Sequence, residues 1–416
     1  MHPRIGLCRG GVFGAAMLAG LAALAPAQLR RDVEDVDVER TAPSGWIVPA
    51  NCPVGDDHDR LAVEAEVGAP WMLWLETEHF RIGSTLRTRP LPPTSGERRA
   101  LYELCGRLRA DRRLQVPREP KEIDPWLQVW LLAQRLEEAH AELAELVGAD
   151  AEWWAGRCGR AEPQLDRLVE QLGCPDKVVV LAFEEPGDHA RYLRRFCGVD
   201  RAGPWSQRWR SGRRTLATCV GFEPNRWYDP TMLQGHVVHQ VVAMRLAALV
   251  GDGAADGKDD GNDDGTDCGA DDGVPLWLQT GLGHWLVRRI DPRSVDDEGV
   301  ARGHVVDAEE WPQKVRLRLR RDLLPAVATA LCWRDPGELQ DPALHAMAWS
   351  MVDYLAADRA AFGQLLRRLR EHRLRSRYMP DALVLRWHDQ VLRASLGQDL
   401  EAWSAGWREF AAARGR

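Results

Sequence analysis

Two apolar stretches that carry histidines constrain this chain more than anything else in it. "DPTMLQGHVVHQVVAMRLAALV" (229–250) opens with Asp229-Pro230, a helix cap followed by a first-turn proline. It then runs apolar at helical spacing, with His236 and His239 three residues apart on one face. "VPLWLQTGLGHWLVRR" (274–289) predicts a second helix and carries His284. A Gly/Asp tract, 251–273, separates the two.

Around this pair the pattern alternates between strand and helix. "HFRIGSTL" (79–86), "KVVVLAF" (177–183) and "RTLATCVGF" (214–222) read as strands from their β-branched, turn-bounded composition. Residues 96–114 and "PWLQVWLLAQRLEEAHAELAELV" (125–147) read as helices, the second with Pro125 in its first turn. Residues 28–70 are polar and weakly patterned and are expected to be extended. Beyond about residue 305 the pattern is helical, with Asp341-Pro342 opening one helix, "RAAFGQLLRRLREH" a second, and 381–396 and 399–413 two more. Strands followed by a helical run imply a mixed α/β domain with an all-helical extension.

The N-terminus, "MHPRIGLCRGGVFGAAMLAGLAALAPAQ", has basic Arg4 and Arg9, an apolar run from Gly11 to Leu24 and an Ala25-Pro26-Ala27 cleavage site. Residues 1–27 therefore read as a secretory signal, which places the mature protein in the periplasm, the cell envelope or the medium. The best later candidate for a membrane span, Val237 to Val250, is interrupted by His239, Gln240 and Arg245. Without the signal, 53 basic residues face 62 acidic ones, a net charge of −9 that argues against a general nucleic-acid binder. Eight cysteines remain, Cys52, Cys105, Cys158, Cys174, Cys197, Cys219, Cys268 and Cys332; in an oxidising compartment some disulfides are expected, with no pairing legible.

A zinc peptidase of the HExxH type needs two histidines four apart on a helix, a glutamate beside the metal-bound water, and a third ligand from a later helix. Three stretches in order, "WLETEHFRIGST", the 234–246 helix and "VPLWLQTGLGHWL", together with the tail segments "AWSMVDYLAADRAAFGQLLRRLREH" and "LGQDLEAWSAGWREF", resemble secreted bacterial gluzincin-like proteins of the peptidase MA type. That resemblance covers roughly 71–413 in pieces. It implies an α+β fold: a zincin-like domain over 71–305 with a mixed sheet and a metal-type helix, interrupted by the acidic insertion 251–273, then an all-helical C-terminal subdomain over 306–416.

The residues depart from the motif. With "HQVVA" aligned to HExxH, His239 is the first ligand, Gln240 replaces the glutamate and Ala243 the second histidine. With "GHVVH" aligned, Gly235 replaces the first ligand and His236 the glutamate, and His239 is the second ligand. Thr280 stands at the third-ligand position in either register. A glutamine amide cannot take the water proton, and one imidazole with a threonine does not hold catalytic zinc. The expectation is a vestigial site, His239, Gln240, Ala243 and Thr280, in a non-catalytic protein that binds a peptide or protein or serves a structural role, with no cofactor.

Two alternatives stay open. His236, His239 and His284 form a rearranged zinc site if the helices bring them together, giving an active metallohydrolase. Asp260, Asn262, Asp264 and Asp271 follow an EF-hand-like count, which would suit a calcium-dependent interaction protein, although position twelve lacks its glutamate. Eighteen tryptophans, at helical spacing in Trp126/Trp130 and Trp403/Trp407, read as core anchors rather than a carbohydrate platform. The signal generates a direct test: mass spectrometry of protein from the native host is expected to find Gln28 at the mature N-terminus, and an intact Met1 on soluble cytosolic protein would remove the secretory reading.

Overall fold

The computed structural model describes residues 44–55, 57–147, 177–199, 206–211, 215–222, 230–250, 274–291, 311–372 and 379–414. The signal stretch, the Gly/Asp tract with its calcium candidates, and Cys158, Cys174 and Cys268 lie outside them. A helix α1 (Arg60–Val67) precedes β1 (Leu73–Glu76), β2 (Phe80–Ser84) and β3 (Arg89–Pro90). After them come α2 (Ser95–Arg112), β4 (Glu122–Ile123) and α3 (Pro125–Val147). Next are β5 (Val178–Phe183), α4 (Pro186–Phe196), β6 (Ser206–Ser211) and β7 (Thr215–Gly221). The two histidine-bearing helices are α5 (Pro230–Val250) and α6 (Leu276–Ile290). The C-terminal part adds α7 (Trp311–Arg320), α8 (Val327–Leu331), a 3-10 turn (Pro336–Leu339), α9 (Pro342–Ala356), α10 (Arg359–Glu371), α11 (Asp381–Leu396) and α12 (Leu400–Arg414).

The fold is mixed α+β, as expected. Its main sheet has the order β1-β2-β5-β7-β6, with β2, β5 and β7 parallel and both edge strands antiparallel. The unbroken apolar run in β5 follows from that place: it is the central parallel strand, and all six residues are buried. Alternate residues separate two cores. Leu73, Leu75, Ile82, Val178, Val180 and Val220 face α3 and α5, and the same core continues through α6 to Trp403 and Trp407. Met72, Trp74, Val179, Leu181, Ala217 and Cys219 face α1 and α4.

Three elements differ from the sequence reading. The supposedly extended lead-in contains α1, because Asp59 caps it through the Ala62 amide, Gly68 closes it in the left-handed region, and Val63 and Val67 are buried. β1 and β6 have no clear strand signature; each is placed by its ladder with a neighbour. No disulfide joins the described cysteines, Cys52, Cys105, Cys197, Cys219 and Cys332, to one another. Burial raises Cys52 and Cys105 to about 11, which marks them as inert packing residues.

A buried hydrogen-bonded pair, Glu137 with His79, fastens α3 to the sheet. The Glu137 carboxylate accepts from the His79 amide at 3.1 Å and lies 2.6 Å from its Nδ1, while the His140 ring stacks on His79 at 3.6 Å. Arg245 of α5 donates to the His79 carbonyl at 3.4 Å, so the same hairpin turn holds both helices. Burial acts to raise the Glu137 carboxyl, but the hydrogen bonds from His79 and Thr77 outweigh it and hold it at about 2. A depressed carboxylate contributes stability that is full above about pH 4.5 and is lost as pH falls through about 2. Glu137→Gln is therefore expected to lose about 3 kcal/mol at pH 7, read by urea unfolding, and to flatten the acid limb of stability between pH 4.5 and 2.

Candidate functional site

The helices singled out by sequence pack directly on one another. α6 is buried from Trp277 to Arg288 without interruption, which explains an apolar helix with no solvent face: it lies between α5 and α9. Two glycines permit that approach. A Cβ at Gly281 would sit 2.7 Å from the Ala348 carbonyl carbon of α9, and a Cβ at Gly283 would sit 2.6 Å from Nε2 and 2.7 Å from Cγ of His239.

His239 meets α6 at Gly283, one turn beyond Thr280, the position the motif implies for the third ligand. Its ring lies 4.9 Å from that of His284, tilted by 59°. His236 and Thr280 are buried, Ala243 is buried, and His239 and Gln240 are half-buried. The Gly283 surface is filled by imidazole, so the helices close at that level.

His284 is wholly buried and belongs to a chain that sequence reading did not find. Its Nε2 lies 3.0 Å from Nδ1 of His345 on α9, and His345 Nε2 lies 2.6 Å from the Leu339 carbonyl oxygen. A carbonyl only accepts, so His345 carries its proton on Nε2 and accepts on Nδ1; His284 then donates from Nε2. Trp311 packs edge-on to His284 at 5.1 Å, with the Arg288 guanidinium 3.5 Å from the Trp311 ring centre. Nothing in the sequence singles out His345, a lone histidine 61 positions away whose partner is set only by the packing of α6 on α9.

An imidazole whose far nitrogen donates inward is also how metal-binding histidines are held. Among the described residues, however, no group of three His, Cys, Asp or Glu side chains is arranged to hold a metal ion. Of the rearranged set His236, His239 and His284, the last two are brought together, with their rings 4.9 Å apart. The calcium candidates Asp260, Asn262, Asp264 and Asp271 lie outside the described residues.

Two further polar pairs have the residue types of nucleophilic chemistry without its electrostatics. His189 Nε2 lies 3.1 Å from Cys219 Sγ, but burial lowers the imidazole to about 4 and raises the thiol well above its usual value. The pair is neutral at pH 7, not thiolate and imidazolium. His58 bridges exposed Asp57 (2.6 Å) and buried Tyr192 (3.1 Å), whose phenol burial also raises. Trp130, Trp403 and Trp407 are buried core residues, as their spacing implies.

No family model, curated protein or solved structure matches this chain. Among the described residues no helix is long and apolar enough to cross a membrane.

The glycine contacts can be tested by stability. Gly281→Ala sets a Cβ against backbone and is expected to destabilise more than Gly283→Ala, where the His239 ring can turn aside. The Gly283 variant is expected to lose about 1–3 kcal/mol in urea unfolding, and the Gly281 variant more. Equal, negligible losses would mean that α6 does not lie this close to α5 and α9.

Proposed function

We propose that this chain is a secreted pseudo-metallopeptidase with a gluzincin-like scaffold, which binds a peptide or protein, or serves a structural role in the envelope, without hydrolysis. The observation that carries the reading is chemical: neither α5 nor α6 contains a single aspartate or glutamate. Hydrolysis at a metal-type helix pair needs a carboxylate to take the water proton and a metal to bring that water's pKa towards about 7. Gln240 stands where the base would be, Ala243 and Thr280 where two ligands would be, and the His239 ring is packed against Gly283.

The second reading, a metallohydrolase with a rearranged site, is favoured by the 4.9 Å approach of the His239 and His284 rings. Metal content separates the two. Protein purified without chelators is expected to hold less than a tenth of an equivalent of zinc by atomic emission, as an order-of-magnitude bound, and to show no chelator-sensitive peptide cleavage. One equivalent of zinc, lost on His236→Ala or His284→Ala, would establish the rearranged site instead. Restoring Gln240→Glu, Ala243→His and Thr280→Glu together is expected to create a zinc site in the register that aligns "HQVVA" with HExxH. Failure of the restored protein to bind zinc while folded would count against the gluzincin-like scaffold.

A further inference from the structure

We propose that His388 is a proton-operated latch that holds the C-terminal helix α11 against the central helix α6. Its surroundings accept only the neutral ring. Nδ1 lies 3.0 Å from the Val384 carbonyl oxygen, which can only accept, so Nδ1 carries the proton. Nε2 then offers its lone pair to the Trp277 indole N–H of α6 at 3.3 Å. A second proton would have to go on Nε2, setting a donor against a donor. Both residues are buried, Trp277 with the Trp403 ring 6.0 Å away and His388 with Trp387 edge-on at 4.6 Å, so no water is at hand to take over the lost bond.

Among the described residues, the acidic side chains on the elements packed against α11 are paired elsewhere or exposed. On α10, Glu371 is held by Arg367 and Arg368, beside Arg359 and Arg370. On α11 itself, Asp389 is paired with Arg393 and Asp381 with Arg334, while Arg386 is a further cation. α12 carries Glu401, Arg408 and Glu409 on its exposed side, and Arg414, which pairs with Asp353. α6 contributes only Arg288 and Arg289, and α8 has no charged residue. Burial accordingly pushes the His388 pKa down to about 4, opposed only by the hydrogen bond to Val384.

The sign follows directly. Between about pH 6.5 and 4 the released ring binds a proton and the held ring does not, so the latch is closed at neutral pH and weakens as pH falls. For those two pKa values the opening equilibrium of α11 rises about 30-fold from pH 8 to pH 5, and on the order of 150-fold by pH 4. Opening uncovers Trp277 and the aromatic contacts beneath it.

Hydrogen exchange on the full chain, corrected for the intrinsic pH dependence of exchange, tests this. In the wild type, protection in α11 and in the first turns of α6 is expected to fall about 30-fold by pH 5. His388→Gln, whose side-chain oxygen can accept from Trp277 and does not titrate, is expected to remove that change. Peptides of α4, which report on His189, also held at about 4 by burial, are expected to respond alike in both proteins. An equal pH response of α11 in both proteins, or none in the wild type, would overturn the proposal. If the variant does not fold at pH 8, nitrogen NMR of the wild-type ring decides. A neutral Nδ1–H ring persisting to about pH 4 supports the latch, and a ring titrating near 6.5 while α11 stays protected refutes it.

Discussion

The closeness of α6 to its two neighbours is the constraint on which the rest of the structure depends. Gly281 admits the backbone of α9 and Gly283 admits the ring of His239, so a helix with no polar face is enclosed on every side. That position fixes where every candidate residue of the site falls. It brings His284 to His345, turns Trp285 onto Asp353 at 3.1 Å, and sets Trp277 against His388 at 3.3 Å. Each of these is a buried polar contact between α6 and the C-terminal helices, and together they select one rotation of α6 where apolar packing alone would tolerate several. The α/β part and the helical part consequently share one core, running from Leu73 on the sheet to Trp407 on α12.

The polar groups inside this core divide into two kinds. Glu137 is a buried carboxylate, held ionised because it receives hydrogen bonds from both the ring and the amide of His79. His388 beside α6 and His189 under α4 are instead held as neutral rings, by a carbonyl and an indole and by a thiol.

Much of the architecture is legible before any coordinates. β5 is a run of six apolar residues and can only be an interior strand; α3 and α5 open with Pro125 and Pro230, and α9 is capped by Asp341. These signals are local, so the chain carries them wherever it goes. β1, β6 and α1 are less legible because edge strands draw their definition from a partner, and α1 is eight residues long with only two apolar residues facing the core.

The sequence by itself determined the secondary structure of the helix pair, the presence of His236, His239 and His284 on it, and the absence of a carboxylate base. Those are matters of residue identity and short spacing. Only the tertiary structure decided that His239 meets Gly283, that His284 is committed to His345, and that His388 caps Trp277 from 111 positions away. Helical periodicity says which residues share a face, but the rotation and translation of one helix against another are set by side-chain volumes at the contact. Here they are set by two glycines whose lack of a side chain is visible in the sequence and whose neighbours are not.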